Sequence, residues 1–268
     1  MTYRARSMLL LLTGFVCVPA YAASDPWGDS PFTLQLGAFR ADTETTVRLD
    51  STVLGRGTSL NLEGDLGVDD SKILPEFSFL WRINPRHGIE GSYVSLNRSG
   101  SRTISGTIQF GDVIYPLNST VNSKFDSDVF RVAYRYSPIN DKGNELSLLL
   151  GAHYTTFDVA LGTANGTLSE SASVGVPLPT IGARGSLRIA DDWRLTGFAQ
   201  LMKLKVGDYD GSLVNASAGI EWAFLRQAYV GLGYSYYRYD LESEKNDARG
   251  EFTYRFDGPS LYLGFAFR

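Results

Sequence analysis

The chain has 268 residues, with 25 Lys+Arg against 29 Asp+Glu and a formal net charge of −4. That balance speaks against nucleic acid as a partner, which favours a basic surface. Aromatic residues make up 13 %, with 15 Tyr, 15 Phe and 28 Gly, and past the N-terminal segment no run of ~18 apolar residues occurs, so membrane-spanning helices are excluded.

The first 22 residues read as a secretory signal. Arg4 and Arg6 form a basic start, Met8 to Val16 an apolar run too short to span a bilayer, and Ala20-Tyr21-Ala22 a small-x-small cleavage site. Residues 23–268 are then one domain. The single cysteine, Cys17, lies in the signal, so the exported chain has no disulfide, thiol nucleophile or thiolate metal site. Without Arg4 and Arg6, 23 basic residues face 29 acidic ones, a net charge of −6.

From there the dominant signal is period-two alternation. Phe32, Leu34, Leu36 and Ala38 share one face against Thr33, Gln35 and Gly37. Phe77, Phe79, Trp81 and Ile83 oppose Glu76, Ser78 and Arg82, and a sharp turn at Asn84-Pro85-Arg86-His87 leads to Ile89, Gly91 and Tyr93 against Glu90 and Ser92. Phe130, Val132, Tyr134 and Tyr136 oppose Arg131 and Arg135, and Leu146, Leu148, Leu150 and Tyr154 oppose Ser147, Gly151 and His153. Ile181, Leu187 and Ile189 then oppose Arg184, Ser186 and Arg188, and after Asp191-Asp192, Trp193, Leu195 and Leu201 oppose Arg194, Thr196 and Gln200. Val214, Ile220 and Trp222 oppose Asn215, Ser217 and Glu221. Val230, Leu232 and Tyr234 oppose Gly231, Gly233 and Ser235, and Leu261, Leu263, Phe265 and Phe267 oppose Tyr262 and Gly264.

This pattern predicts an all-β, up-and-down antiparallel barrel of about ten strands, eight being the alternative, with its apolar face turned to lipid. A β-sandwich alternates too, but its core could not hold Glu76, Arg82, Glu90, Arg131, Arg135, Arg184, Arg188, Arg194 and Glu221 without a large desolvation penalty. Those residues, with His153, form the expected lumenal charge network. In a barrel this narrow side chains fill the interior, so the charges are expected to pair and brace the wall. A small pore, anion-favouring because of its arginines, is the alternative.

Connections after even-numbered strands are short. Those after odd ones are long: 43–72, 99–124, 161–173, 207–211 and 241–258. Alternation of short turns and long loops predicts periplasmic turns, extracellular loops and both termini in the periplasm. The stretches Ile104–Phe110 and Val113–Leu117 are expected to continue strands as hairpins above the membrane.

The C-terminal run Leu261-Tyr262-Leu263-Gly264-Phe265-Ala266-Phe267 resembles the assembly signal of outer-membrane proteins, with Arg268 following the aromatic where such chains usually stop. With Leu62-Glu63-Gly64-Asp65-Leu66-Gly67 and Asn84-Pro85-Arg86-His87, the exported chain resembles the outer-membrane protein β-barrel domain family of Gram-negative bacteria. The resemblance implies outer-membrane lipid, lipopolysaccharide and the barrel-assembly machinery as partners, Tyr262, Gly264, Phe265 and Phe267 being the assembly signal. It transfers no reaction and no catalytic residue.

Chemistry is sparse. A lipid-modifying barrel of the phospholipase or deacylase type needs a serine shortly after a lipid-facing histidine. His87 is followed by Gly88-Ile89-Glu90 and His153 by Tyr154-Thr155, and by parity His153 points inward. A protease of the ten-stranded omptin type needs carboxylates and a histidine together at the outer rim, and no histidine accompanies Asp65, Asp69, Asp70, Asp208 and Asp210. The acidic run Asp65 to Asp70 lacks the spacing and distal Glu of a calcium loop. No catalytic, cofactor or metal site is expected. Arg98 and Arg102, after the third strand, are candidates for lipopolysaccharide phosphate at the outer rim, since guanidinium suits bidentate phosphate contact. The expected role is structural, or surface binding through long loops, in a monomer; the alternative is a narrow pore or transporter for small solutes.

Overall fold

The computed structural model describes Trp27 and residues 30–206, 208–245 and 248–267. The expected signal at 1–22 and Arg268 lie outside them. The elements are β1 (Phe32–Leu49), β2 (Leu60–Asn61), α1 (Leu62–Leu66), β3 (Ser71–Asn84), β4 (His87–Thr103), β5 (Ile108–Phe110), β6 (Val113–Tyr115) and β7 (Thr120–Asp141). They continue with β8 (Asn144–Thr163), β9 (Ser169–Ala190), β10 (Trp193–Val206), β11 (Tyr209–Leu225), β12 (Ala228–Lys245) and β13 (Ala248–Phe267). Ten long antiparallel strands pair in sequence order, and β13 pairs back onto β1 from Phe32↔Phe267 to Leu49↔Gly250. Across the part of the barrel that carries the apolar belt, each of the ten long strands therefore has two partners and the sheet has no edge, as a structure surrounded by hydrocarbon must.

Each strand changes character along its length. Near the end carrying the termini and short turns, the outward residues are the expected apolar set, with Leu148 54 % and Leu150 63 % exposed. Toward the far end the same outward parity turns polar: Arg40, Asp42 and Glu44 on β1, Asn122, Lys124 and Asp126 on β7, Arg238, Asp240 and Glu242 on β12. The inward parity inverts with it, and Phe125, Phe157, Tyr239, Phe252 and Tyr254 are buried there. A transmembrane strand needs ~9–11 residues, whereas β7 and β9 have 22 each. The surplus carries the barrel well beyond the lipid, where water outside and an apolar core inside reverse the preference of each face.

This corrects the sequence reading twice. Much of the expected loops is strand: β1 runs to Leu49, β4 to Thr103, β8 to Thr163 and β12 to Lys245. The lumen, expected to carry a charge network, carries its main one in the lower half, near the termini, while the far half is lined chiefly by apolar and aromatic side chains around a few buried polar contacts.

Two segments close the far end. Asn61 caps α1 by accepting from the Gly64 amide, and Gly67 ends it in the left-handed region at φ 68°. The helix buries Leu62 and Leu66 in the mouth. The expected hairpin continuation is a separate two-stranded unit, β5–β6, whose strands pair only with each other. It packs Phe110 and Tyr115 inward, and the Tyr115 hydroxyl donates to the Leu161 carbonyl.

Candidate functional site

The lower lumen is organised around three buried carboxylates. Glu90, from β4, meets Arg131 at 3.1 Å, Arg135 at 3.4 Å and Arg184 at 3.3 Å. Glu221, from β11, takes Arg194 at 2.5 Å and accepts from the Tyr262 hydroxyl at 2.8 Å. The third carboxylate, Glu145, was missed in the sequence. It takes Arg82 at 2.8 Å and Arg135 at 2.6 Å and accepts from the hydroxyls of Ser137 and Ser147. The signal was present: Glu145 shares the inward parity of Ser147 and His153, but it sits beside the turn, one residue before the first apolar position used to begin the strand.

Phe198 lies between the guanidiniums of Arg131 and Arg184, 4.7 and 4.8 Å from its ring centre, so cation–π contact supports the same two cations. Glu76 lines a cavity of about 110 Å³ together with Arg131 and Arg184. His153 is fully buried at the top of this layer; its Nε2 meets Gln200 Oε1 at 2.9 Å, and its ring stacks on Tyr237. Below the network, at the mouth nearest the termini, Trp27 is 2 % exposed and lies under Arg188 and Arg194 at 5.6 and 5.2 Å.

Two expected placements change. Arg188 is not one of the arginines gathered on these carboxylates. It sits at the rim near the termini, where it donates to the backbone carbonyls of Lys142, Ala190 and Asp191. Arg98 does not face lipopolysaccharide: it is 2 % exposed and points into the far-end core. It meets Glu63 at 2.5 Å, donates to Thr43, Thr45 and the Asp69 carbonyl, and lies 4.9 Å over the Phe125 ring. It thereby ties α1 to the wall. β4 continues regularly past the point where sequence reading stopped it, and Arg98 has the parity of Glu90. Arg102 is exposed, with one guanidinium nitrogen donating to the Gly64 carbonyl.

Two residues of the expected assembly signal, Tyr262 and Gly264, have a role in the folded wall. Tyr262 is paired across the ladder with Gly231, and Tyr229 with Gly264. Each ring lies directly over its partner glycine, so that a Cβ at either glycine would collide with it. Reciprocal cover of this kind replaces the side chain the glycine lacks.

The lumen is thus filled at three levels: Trp27 at the lower mouth, the carboxylate–guanidinium network above it, and an aromatic layer in the far half. In that layer Phe157 and Phe252 approach to 4.4 Å and Tyr237 and Phe256 to 4.7 Å between ring centres.

Neither protein-family models nor curated proteins yield a match to this sequence. Solved structures do. The outer membrane protease OmpT of Escherichia coli superposes with a TM-score of 0.60 at 12 % identity, over 90 % of this chain and 98 % of that one. The fold is that of an outer-membrane β-barrel. The translocator domain of the autotransporter NalP from Neisseria meningitidis matches with a TM-score of 0.46 at 11 % identity, covering 87 % of this chain and 88 % of that one. Ail of Yersinia pestis matches with a TM-score of 0.36 at 12 % identity, covering 87 % and 99 %. In this outer-membrane barrel neither histidine stands at the far rim. His153 is in mid-lumen, and His87 lies at the short-turn end with its Nδ1 on the Tyr134 hydroxyl.

Proposed function

We propose that this chain is a monomeric outer-membrane barrel with a structural or surface-binding role, carried by the strand ends and loops that stand beyond the lipid. The observation that carries this reading is the filling of the lumen at three levels, above all the aromatic layer. A conducting path needs a continuous wet lining, and an apolar constriction gates by expelling water. In this reading the termini and short turns are periplasmic and the far end faces outward. The barrel-assembly machinery reads Tyr262, Gly264, Phe265 and Phe267.

Lipopolysaccharide contact then falls to outward-facing charges. Arg102 is one; Arg238 beside Asp240 and Arg255 beside Asp257 are others, paired at 2.9 and 3.0 Å just above the apolar belt. The absence of a histidine from the far rim supports a role other than hydrolysis of the omptin kind.

Planar-bilayer recording tests the reading. Wild-type barrels should be electrically silent, and Glu221→Gln should unfold more readily while staying silent. Reproducible openings of wild type, or a stable Glu221→Gln barrel with anion-selective current, would instead establish the narrow pore.

A further inference from the structure

One part of the wall is lower than the rest. The pairing of β9 with β10 stops at Ile181↔Leu201, whereas the pairing of β9 with β8 continues to Ser169. Pro177 and Pro179 stand in β9 just beyond that point and lack the N–H that a ladder requires. The β10–β11 hairpin turns back between Val206 and Tyr209, while β9 and β12 rise past it on either side. The result is a notch that starts between β9 and β10 just above the lipid belt, since Leu201 is an exposed outward residue of that belt and Lys203 is outward and polar, and that widens to the full gap between β9 and β12 above the hairpin turn.

A cavity of about 320 Å³ lies behind this notch. Its two jambs are Ala172 to Val174 on β9 and Leu241 on β12, and its inner walls are Val47, Phe157 and Phe252, with Phe110 of the β5–β6 hairpin. The volume falls in the range of small-molecule sites, which are concave and predominantly apolar with few polar groups. The cations among its described lining residues are already neutralised. Arg48 meets Asp50 at 2.9 Å and Glu251 at 2.6 Å, and Arg249 meets Glu242 at 2.5 Å and Glu251 at 3.3 Å. Among the described lining residues no charge is left over to select an anionic head.

We infer that this cavity is a binding site for a small, uncharged hydrophobic molecule, which reaches it through the notch between β9 and β12. Burial of apolar ligand surface against three phenylalanines supplies the affinity. The aromatic layer beneath the cavity makes the site a dead end, so the molecule is held and does not pass through the barrel.

The test uses the full exported chain, transferred from detergent to an amphipathic polymer, and titrated with the uncharged fluorophore N-phenyl-1-naphthylamine. Wild type should show saturable enhancement at one site above the linear partition background. Ala172→Trp fills the cavity and should abolish the saturable part, whereas Leu148→Ala on the outer belt should keep it. Should Ala172→Trp not fold, as judged by loss of the heat-modifiable gel band, Val174→Gln replaces it: this change keeps the volume and makes the jamb polar, and it should weaken binding by about tenfold. Enhancement that never saturates, or that is the same in wild type and in the folded cavity variant, would overturn the site.

Discussion

Glu90 shows how much of this barrel rests on single side chains. It is 3 % exposed and is shared by three guanidiniums from β7 and β9. Removing one partner of a buried ion pair leaves its counter-charge uncompensated, a loss of ~3–5 kcal/mol. Glu90→Gln should therefore lower the unfolding midpoint in detergent markedly, while exchanging the half-buried, outward-facing Asp257 for Asn should change the stability by ~1 kcal/mol or less. Equal midpoints for both variants would mean that the network is wet and screened. Arg98 presents the same physics at the other end of the molecule. Lysine cannot reproduce a fork that meets Glu63, Thr43, Thr45 and the Asp69 carbonyl together. Arg98→Lys should leave the transmembrane part folded but release the α1 segment, and limited proteolysis of intact cells should cut within residues 50–70 faster than in wild type.

Among the elements, the strands carry the decisive information, because each shows its environment on alternate residues. On β8 the outward face runs from Leu146, Leu148 and Leu150 to Asp158, and the step from apolar to charged marks the upper edge of the lipid. An arginine at Leu148 must enter hydrocarbon and should cost ~2–4 kcal/mol of folding stability in lipid vesicles. Asp158→Arg on the same face, beyond that edge, should stay within ~0.5 kcal/mol of wild type. Urea titration of both variants separates the two depths, and a similar loss at both would place Asp158 inside the bilayer. The turns behave as local chemistry dictates. Asn84 accepts from the amides of Arg86 and His87, which fixes the first short hairpin, and Gly143, at φ 89°, closes the second.

For the whole molecule, closure of the sheet separates the end that carries the termini and short turns from the far end. Val53 is 83 % exposed at the far end, and Gly106 has open space around it. A cysteine at either position, with Cys17 replaced by serine, should react with an impermeant maleimide on intact cells. Cysteines at Arg86 and Asp141, in the short turns, should react only after the outer membrane is opened. The reverse pattern would invert the orientation and move the proposed ligand cavity to the periplasmic side.

The architecture was legible in the sequence because a strand in lipid must satisfy each face separately. Alternation from Phe32 to Phe267 is enough to give about ten strands, with eight as the alternative, together with their short turns, the outward belt and the inward parity of Glu90, Arg131, Arg135, Arg184 and Glu221. The same rule, carried one residue before Leu146 and five past Tyr93, would also have placed Glu145 and Arg98 inside. They were missed because polar residues near a turn or a strand end look like loop. Only the tertiary structure decided the rest. Which carboxylate serves which arginine depends on how residues as distant as Arg82 and Glu145 are brought face to face across the lumen. The apolar upper core exists because α1 and the β5–β6 hairpin fold back over the mouth, and the notch exists because β10 and β11 turn earlier than their neighbours. Periodicity reports the face on which a side chain lies. It carries no information about what stands opposite that face across a closed barrel.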